Sequence, residues 1–470
     1  MKALVLRLSV RLRESYWVIP AIMAITAVLL AGGMIALDTY EGSGWMDGFS
    51  WLHASRPSGA RQLLSAIGGS MITVAGTVFS VTIAAVVYAS GQYGPRLLSN
   101  FMADRGNQVT LGTFIATFLY CLIVLRTVRS PEESDGIGFV PNMAVLVAVL
   151  LAVCSIAVLI FFIHHVPSKL HINSVIKDIG DTLIKEVGQR FPNAIGAARP
   201  ERNGQPEKAR VPPAFRDDAT PQAASERFLI AALHTGYIQT VDADAITAQA
   251  RANDLVLRLR YQPGDFVHVG RTLVEATPPG RCDATTAKAI AEAYAVGARR
   301  TAIQDLRFLV DELVEIGARA LSAGINDPFT AITCLDWLAA ALADLACREM
   351  PSPLRIDAAG ALRVIAHLET FAGFMDRSFG ALIPYVAGDV VVGLRFVRAL
   401  GEVALDCDAP DRLACVKATV DRLAALSKET LTGSSVERLV ERCDELRNAL
   451  RAPDFKRRLR DGTTWLAGSA

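Results

Sequence analysis

Four hydroxyl side chains on one apolar stretch are the first residues with chemical promise. Ser70, Thr73, Thr77 and Ser80 fall at i, i+3, i+7 and i+10, with Gly69, Gly76 and Ala84 near the same stripe. At about 3.6 residues per turn this spacing gathers the hydroxyls on one face of a helix. Such a face has two uses in a membrane. It lets helices pack closely, its hydroxyls bonding to backbone carbonyls. Alternatively, when several subunits set the helix around an axis, the hydroxyls replace part of a passing ion's hydration. Gln92, Arg96, Asp104 and Arg105 follow the stretch. They are candidates for the cytoplasmic mouth of such a pore, and equally suit the anchoring of a short loop.

A second group is acidic. Asp305, Asp311, Glu315 and Asp327 would hold Mg²⁺ or Ca²⁺ only if the fold brought them together. Taken singly they have structural readings. In Asn326-Asp327-Pro328, Asp327 suits a helix N-cap and Pro328 the first helical position. The preceding helix would end near Ala323-Gly324. Asp311, Glu315 and Arg319 form an i, i+4, i+8 ladder on an exposed face. His164, His165 and His171 offer imidazoles, but no Cys or Glu partner stands at ligand spacing. Arg299-Arg300 suits a phosphate or a solvated helix face. No GxxxxGK[ST], HExxH or GxSxG occurs, so the familiar nucleotide, zinc-protease and hydrolase patterns do not apply. The reading is of no enzyme, no metal and no cofactor.

The elements that must position these residues follow from charge. Apolar residues make up 51% of the 470-residue chain and charged residues 20%, below the roughly 25% usual in soluble domains. Mean hydropathy is +0.32. Forty-eight basic and forty-seven acidic residues leave a net charge of +1, which argues against a nucleic-acid partner. The deficit of charge is concentrated in four runs, about 17–37, 63–91, 109–125 and 139–163, each long enough or nearly so to cross a bilayer as a helix. None has a charge in its interior, which disfavours a charge-coupled carrier. Lys/Arg precede the first run and follow the fourth, whereas the loops 38–61 and 126–138 carry more acid than base. Both termini are therefore expected in the cytoplasm of a bacterial cell with the protein in its inner membrane. Six of the eight cysteines follow His164, as a reducing compartment allows.

The expected fold class is an α-helical multi-pass membrane protein with four transmembrane helices and a C-terminal cytosolic α+β domain. Residues 1–165 form the four-span domain and 166–191 an amphipathic juxtamembrane helix, its stripe being Ile172, Val175, Ile176, Ile179, Leu183 and Val187. A Pro/Gly-rich flexible linker at 192–225 leads to a β-module at 226–280. A helical domain with one β-hairpin, turning at Ala359-Gly360, occupies 281–452, and 453–470 is a tail.

Two stretches carry a resemblance. One runs Gly69-Ser70-Met71-Ile72-Thr73-Val74-Ala75-Gly76, then Gln92-Tyr93-Gly94-Pro95-Arg96-Leu97-Leu98, then Asp104-Arg105-Gly106-Asn107-Gln108. The other runs from Ala320 through Leu321-Ser322-Ala323-Gly324-Ile325-Asn326-Asp327-Pro328-Phe329-Thr330 to Ala331. In this order behind four apolar runs they resemble the bacterial predicted membrane protein family of domain of unknown function 2254. That resemblance implies the four-span architecture and no activity. A weaker one links Gly236-Tyr237-Ile238 and Pro263-Gly264-Asp265-Phe266-Val267, with Gly270 and Leu273, to barrel-sandwich hybrid domains, without a carrier lysine. The functional expectation is a homo-oligomeric pore for an ion or small solute, lined by the second helix and controlled by the cytosolic domain. Its rival is a membrane-anchored sensor or scaffold without transport.

Overall fold

The computed structural model describes residues 16–40, 56–93, 104–130, 139–190, 211–216 and 226–461. The chain divides into two compact units, Leu8–Ser174 and Val175–Ala470.

The charge-free runs of the first unit each form one helix: α1 (Val18–Tyr40), α2 (Pro57–Tyr93), α3 (Arg105–Thr127) and α4 (Asn142–Leu170). Helix α3 packs on each of the other three and is the least apolar of the four, since a central helix is shielded by protein rather than lipid. Small residues make the contacts close. Ala27, Ala31, Ala60, Cys121, Ala144 and Ala148 share one cluster with Leu64, Tyr120 and Val124. One end is pinned by polar bonds. Asp38 accepts from the backbone amides of Met143 (3.2 Å) and Ala144 (3.0 Å) at the start of α4, satisfying donors that a helix N-terminus leaves open. Arg61 donates to the Val128 carbonyl at 2.9 Å, and Arg129 and Phe139 form a β-bridge.

The second unit is mixed. It opens within α5 (Ile172–Arg190), whose apolar stripe is buried at Ile176, Ile179, Leu183 and Val187. Strands β1 (Phe228–Ala231) and β2 (Gly236–Val241) precede α6 (Ala243–Ala252), which is capped by Asp242. Then come β3 (Val256–Leu259), β4 (Phe266–Val267), β5 (Thr272–Thr277), α7 (Ala284–Glu292) and β6 (Tyr294–Gly297). Alternate burial along β3, with Leu257 and Leu259 inward, is the period-2 signature of a half-buried strand. The helices α8 (Leu306–Ala320) and α9 (Pro328–Ala346) follow, then the hairpin β7 (Leu354–Ile356) and β8 (Leu362–Ile365), turning at Gly360 with φ +83°. The remainder is helical: α10 (Phe371–Met375) continues through a π-turn at Asp376–Gly380 into α11 (Ala381–Val386). Behind it come α12 (Val390–Leu405), α13 (Pro410–Thr430), α14 (Ser434–Arg451) and α15 (Phe455–Asp461).

Among the described residues two sheets result, in the orders β1-β5-β3-β8-β7 and β4-β2-β6. The hairpin is an edge of the larger sheet: β8 runs parallel to β3, with Leu257 opposite Val364 and Arg258 opposite Ile365. The β-module therefore takes two strands from the middle of the helical sequence. Within 192–225, the short segment 211–216 is described. Its Phe215 is buried, and the Arg258 guanidinium lies 5.2 Å from the ring centroid.

Five described helices are long and apolar enough to cross a membrane: the four of the first unit and α9. Helix α9 differs in context, since it carries Asp336, paired with Arg395 at 2.6 Å, and packs between α8 and α12. A helix apolar on most sides is suited either to lipid or to the middle of a protein.

Candidate functional site

On α2 the hydroxyl stripe faces away from the rest of its unit. Leu64, Met71, Ala75, Val78 and Val86 are buried against the other helices. Ser70, Thr73, Thr77 and Ser80 are all exposed on the opposite side, as are Gly69, Gly76 and Ala84. A β-carbon built on Gly69 or Gly76 would meet nothing within 4 Å. Close packing inside one chain does not account for these small residues. Three of the four hydroxyl protons are used within the helix: Thr73 donates to the Gly69 carbonyl (2.9 Å), Thr77 to the Thr73 carbonyl (3.0 Å) and Ser70 to the Ile67 carbonyl (2.9 Å). Each of these three hydroxyl oxygens keeps acceptor lone pairs, so at Ser70, Thr73 and Thr77 the face offers acceptors rather than donors.

The residues assigned to a mouth separate. Gln92 lies in the last turn of α2, and Arg96 lies outside the described residues. Arg105 is exposed at the start of α3. Asp104 caps α3 by accepting from the Asn107 amide at 3.3 Å, and its Oδ2 lies 2.9 Å from Nε2 of His165 on α4. The His165 ring stacks on Phe161 with centroids 4.8 Å apart. Gly106 makes this possible, because a β-carbon there would fall 2.6 Å from His165 Nε2. Of the three histidines, His165 thus has a carboxylate partner. Among the described residues no group of three His, Cys, Asp or Glu side chains is placed to hold a metal. Deeper in the unit, Thr117 and Ser155 form a buried hydroxyl pair at 3.0 Å between α3 and α4. Sequence reasoning passed over it because each hydroxyl stands alone in its run.

In the second unit the acidic residues converge on arginines, not on each other. Asp305 and Asp311 are bridged by Arg300, through Nε to Asp305 Oδ2 (2.8 Å) and Nη1 to Asp311 Oδ2 (2.5 Å). Arg377 also donates to Asp311 at 2.8 Å. Glu315 pairs with Arg319 at 3.5 Å, and Asp327 is engaged elsewhere. Arg307 ties the cluster to the Pro263-Gly264-Asp265 turn, donating to the Pro263 carbonyl (2.7 Å) and to Asp265 Oδ1 (2.8 Å). It also faces Glu369 at 3.8 Å and Asp305 at 3.5 Å. Burial pushes the Asp305 carboxyl above the usual carboxylate range and outweighs the attraction of Arg300 and Arg307. The arrangement neutralises charge and clamps a turn; it leaves no open carboxylate pair. The clamp made by Arg307 has no spacing signal, since the Pro263 carbonyl and Asp265 lie more than 40 positions away in sequence.

The Asn326-Asp327-Pro328 corner is a tightly bonded turn. Asp327 accepts from the Thr330 amide (3.1 Å) and hydroxyl (2.6 Å), with Pro328 at the first position of α9. Asn326 takes φ +49°, a region Asn tolerates better than most residues. The Asp327 amide closes the turn onto the Ala320 carbonyl at 2.7 Å. Ser322, Ala323, Gly324 and Asn326 are exposed around it, and Phe329 is 72% exposed.

Comparison with known proteins agrees with this architecture. The family described as "Predicted membrane protein (DUF2254)" matches residues 13–402. Uncharacterised proteins of Mycobacterium bovis and Mycobacterium tuberculosis are each 31% identical over 413 residues, which is 87% of this chain and 75% of each relative. No solved structure matches the chain. The chain belongs to the DUF2254 family of predicted membrane proteins.

Proposed function

We propose that the protein is a homo-oligomeric pore of the bacterial inner membrane. The four helices of the first unit span the bilayer, and α2 of each copy lines a shared axis. The observation that carries this reading is the position of Ser70, Thr73, Thr77 and Ser80, exposed on the side of α2 opposite its packed face. Lipid gives no reason for a stripe of small and hydroxyl residues, whereas an axis lined by copies of α2 does. Because Ser70, Thr73 and Thr77 donate into their own helix, their outward lone pairs favour a cation or water over an anion.

On this reading α9 is a core helix of a cytoplasmic unit. Both termini lie in the cytoplasm, the acidic loops lie outside, and the partners are lipid and further copies of the chain. No reaction is assigned to it. The Arg300–Arg307 cluster supports a role for the second unit in control, since it couples the β-module to helix α8 and to Glu369, just ahead of α10. The second reading is a membrane-anchored sensor or scaffold. It is favoured by the same internal bonding, since hydroxyls satisfied within α2 also suit dry packing between copies.

Two measurements separate the readings. Mass in detergent solution comes first, because a monomer removes the shared axis. Reconstituted oligomers should then pass monovalent cations, and Thr73→Leu or Ser80→Leu should reduce the flux at least tenfold without changing the mass. Folded oligomers that pass no common ion would leave the scaffold.

A further inference from the structure

Helices α2 and α3 run antiparallel, in a register that several contacts fix. Arg61 Nη2 donates to the Val128 carbonyl at 2.9 Å, and a β-carbon on Gly68 would lie 3.5 Å from Cys121 Cβ. Further along, Ala75, Val78, Leu111 and Phe114 share one apolar cluster. Fourteen residues on from Gly68 is Thr82, and fourteen back from Cys121 is Asn107. Each step is close to four helical turns, so Thr82 and Asn107 come level on the packed faces of their helices.

Both side chains are 2% exposed. Among the described residues, Thr82 Oγ1 and Asn107 Oδ1 and Nδ2 have no hydrogen-bond partner. Thr73 and Thr77 donate into their own helix, whereas Thr82 does not. Unpaired polar atoms in an apolar seam are costly, and polar groups held inside a membrane domain mark functional positions.

Their chemistry selects the ligand. The hydroxyl both donates and accepts, and the amide offers N–H donors beside an acceptor oxygen. A cation would find two oxygens next to an NH₂ group. An anion would meet the Asp104 carboxylate, which caps α3 and accepts from the Asn107 backbone amide at 3.3 Å. A small neutral molecule that donates and accepts suits all three atoms. Water does so, and is held by about two to four polar partners.

We propose that Thr82 and Asn107 hold an internal water molecule in the seam between α2 and α3. The Asp104-Arg105-Gly106-Asn107-Gln108 stretch then serves two neighbours of α3. Asp104 and Gly106 seat His165 of α4, and Asn107 seats the water against α2. The site belongs to a single copy and does not depend on a shared axis. Thr82 lies on the buried side of α2, whereas Ser70, Thr73, Thr77 and Ser80 are exposed.

X-ray radiolysis converts bound water into hydroxyl radicals, which label the side chains beside it. Val78 and Leu111, each about one turn from the pair, are the reporters. Leu64 and Val124, buried in the other cluster of the same helices, are the controls. In the full chain in detergent, Leu111 should label roughly fivefold faster than Leu64, and Val78 roughly fivefold faster than Val124. Thr82→Val combined with Asn107→Leu should bring both ratios close to one. Reporters as slow as the controls in the native chain overturn the proposal. So does fast labelling that survives the double substitution, which would mean general solvent access. Thr82→Val alone keeps the side-chain shape and gives a second readout. Loss of a bound water partner should lower the unfolding temperature by about 2 °C or more. In a dry seam the same change removes an unpaired hydroxyl, so an unchanged or raised temperature also overturns the proposal.

Discussion

Gly264 has no room for a side chain because the Asp305 carboxylate occupies the place of its β-carbon. The turn also needs φ +94° at Gly264, so glycine is required twice over. Gly264→Ala should destabilise the protein by about 2–4 kcal/mol, the sum of backbone strain and a displaced buried carboxylate. Gly270→Ala, with φ +85° and open space around it, should cost about 1 kcal/mol. Thermal unfolding of the two variants side by side separates the terms.

Helix α5 is held by a second glycine contact. Gly180→Leu would drive a side chain into Trp337 and lift α5 from α9, at a cost of about 2–3 kcal/mol. Fluorescence emission should shift to the red as the indole gains water. Unchanged emission and stability would contradict this packing of α5.

Acid should weaken one half-buried cluster in a defined direction. Arg363 bonds Asp254 and Asp357 at 2.7 Å each, and these bonds hold both carboxyls below their ordinary range. A lowered pKa means stability that is present above the unfolded value, near 3.8, and lost as pH falls through the folded value. Arg363→Met should therefore lower the unfolding temperature by a few degrees at pH 7. The gap to the native chain should begin to narrow only below about pH 4, so that unfolding at pH 7 and 5 shows the full difference and unfolding at pH 3 a smaller one.

The open face of α2 makes an opposite prediction. Gly76→Leu meets nothing within 4 Å in one chain, so secondary structure and the fold of each copy should survive. If copies meet along this face, the mass in detergent should fall toward that of a monomer, because a small-residue interface tolerates no isobutyl group.

Orientation is tested by Ser134→Cys, in the acidic loop 126–138. An impermeant thiol reagent should label it on intact cells. Labelling only after lysis would reverse the orientation.

Much of the first unit was legible because lipid solvation writes itself into composition. Runs without charge from Gln62 to Gly94 or Phe139 to Ile163 have few folding options. Local chemistry was legible too, as at Asp327 and Pro328 or at the Gly360 turn. Pairings distant in sequence were not. Nothing about Leu257 announces Val364, and nothing about Gly180 announces Trp337, because the hydrophobic pattern fixes a face but not its partner. The direction of the α2 stripe was half legible: spacing gathered the hydroxyls, but only packing against α3 and α4 determined which way they point.

The parallel pairing of β3 with β8 has a consequence for how the protein is made. A ribosome must add about a hundred further residues after β3 before its partner emerges. Until then the hydrogen-bonding groups of β3 on that side have no neighbour, and an open strand edge is a template for aggregation. Closing so large a loop is slow. Translation stalled between Leu259 and Leu362 should therefore yield sticky, protease-sensitive chains, whereas release beyond Ile365 should yield a protected sheet. Synthesis past the hairpin is the commitment point of the second unit.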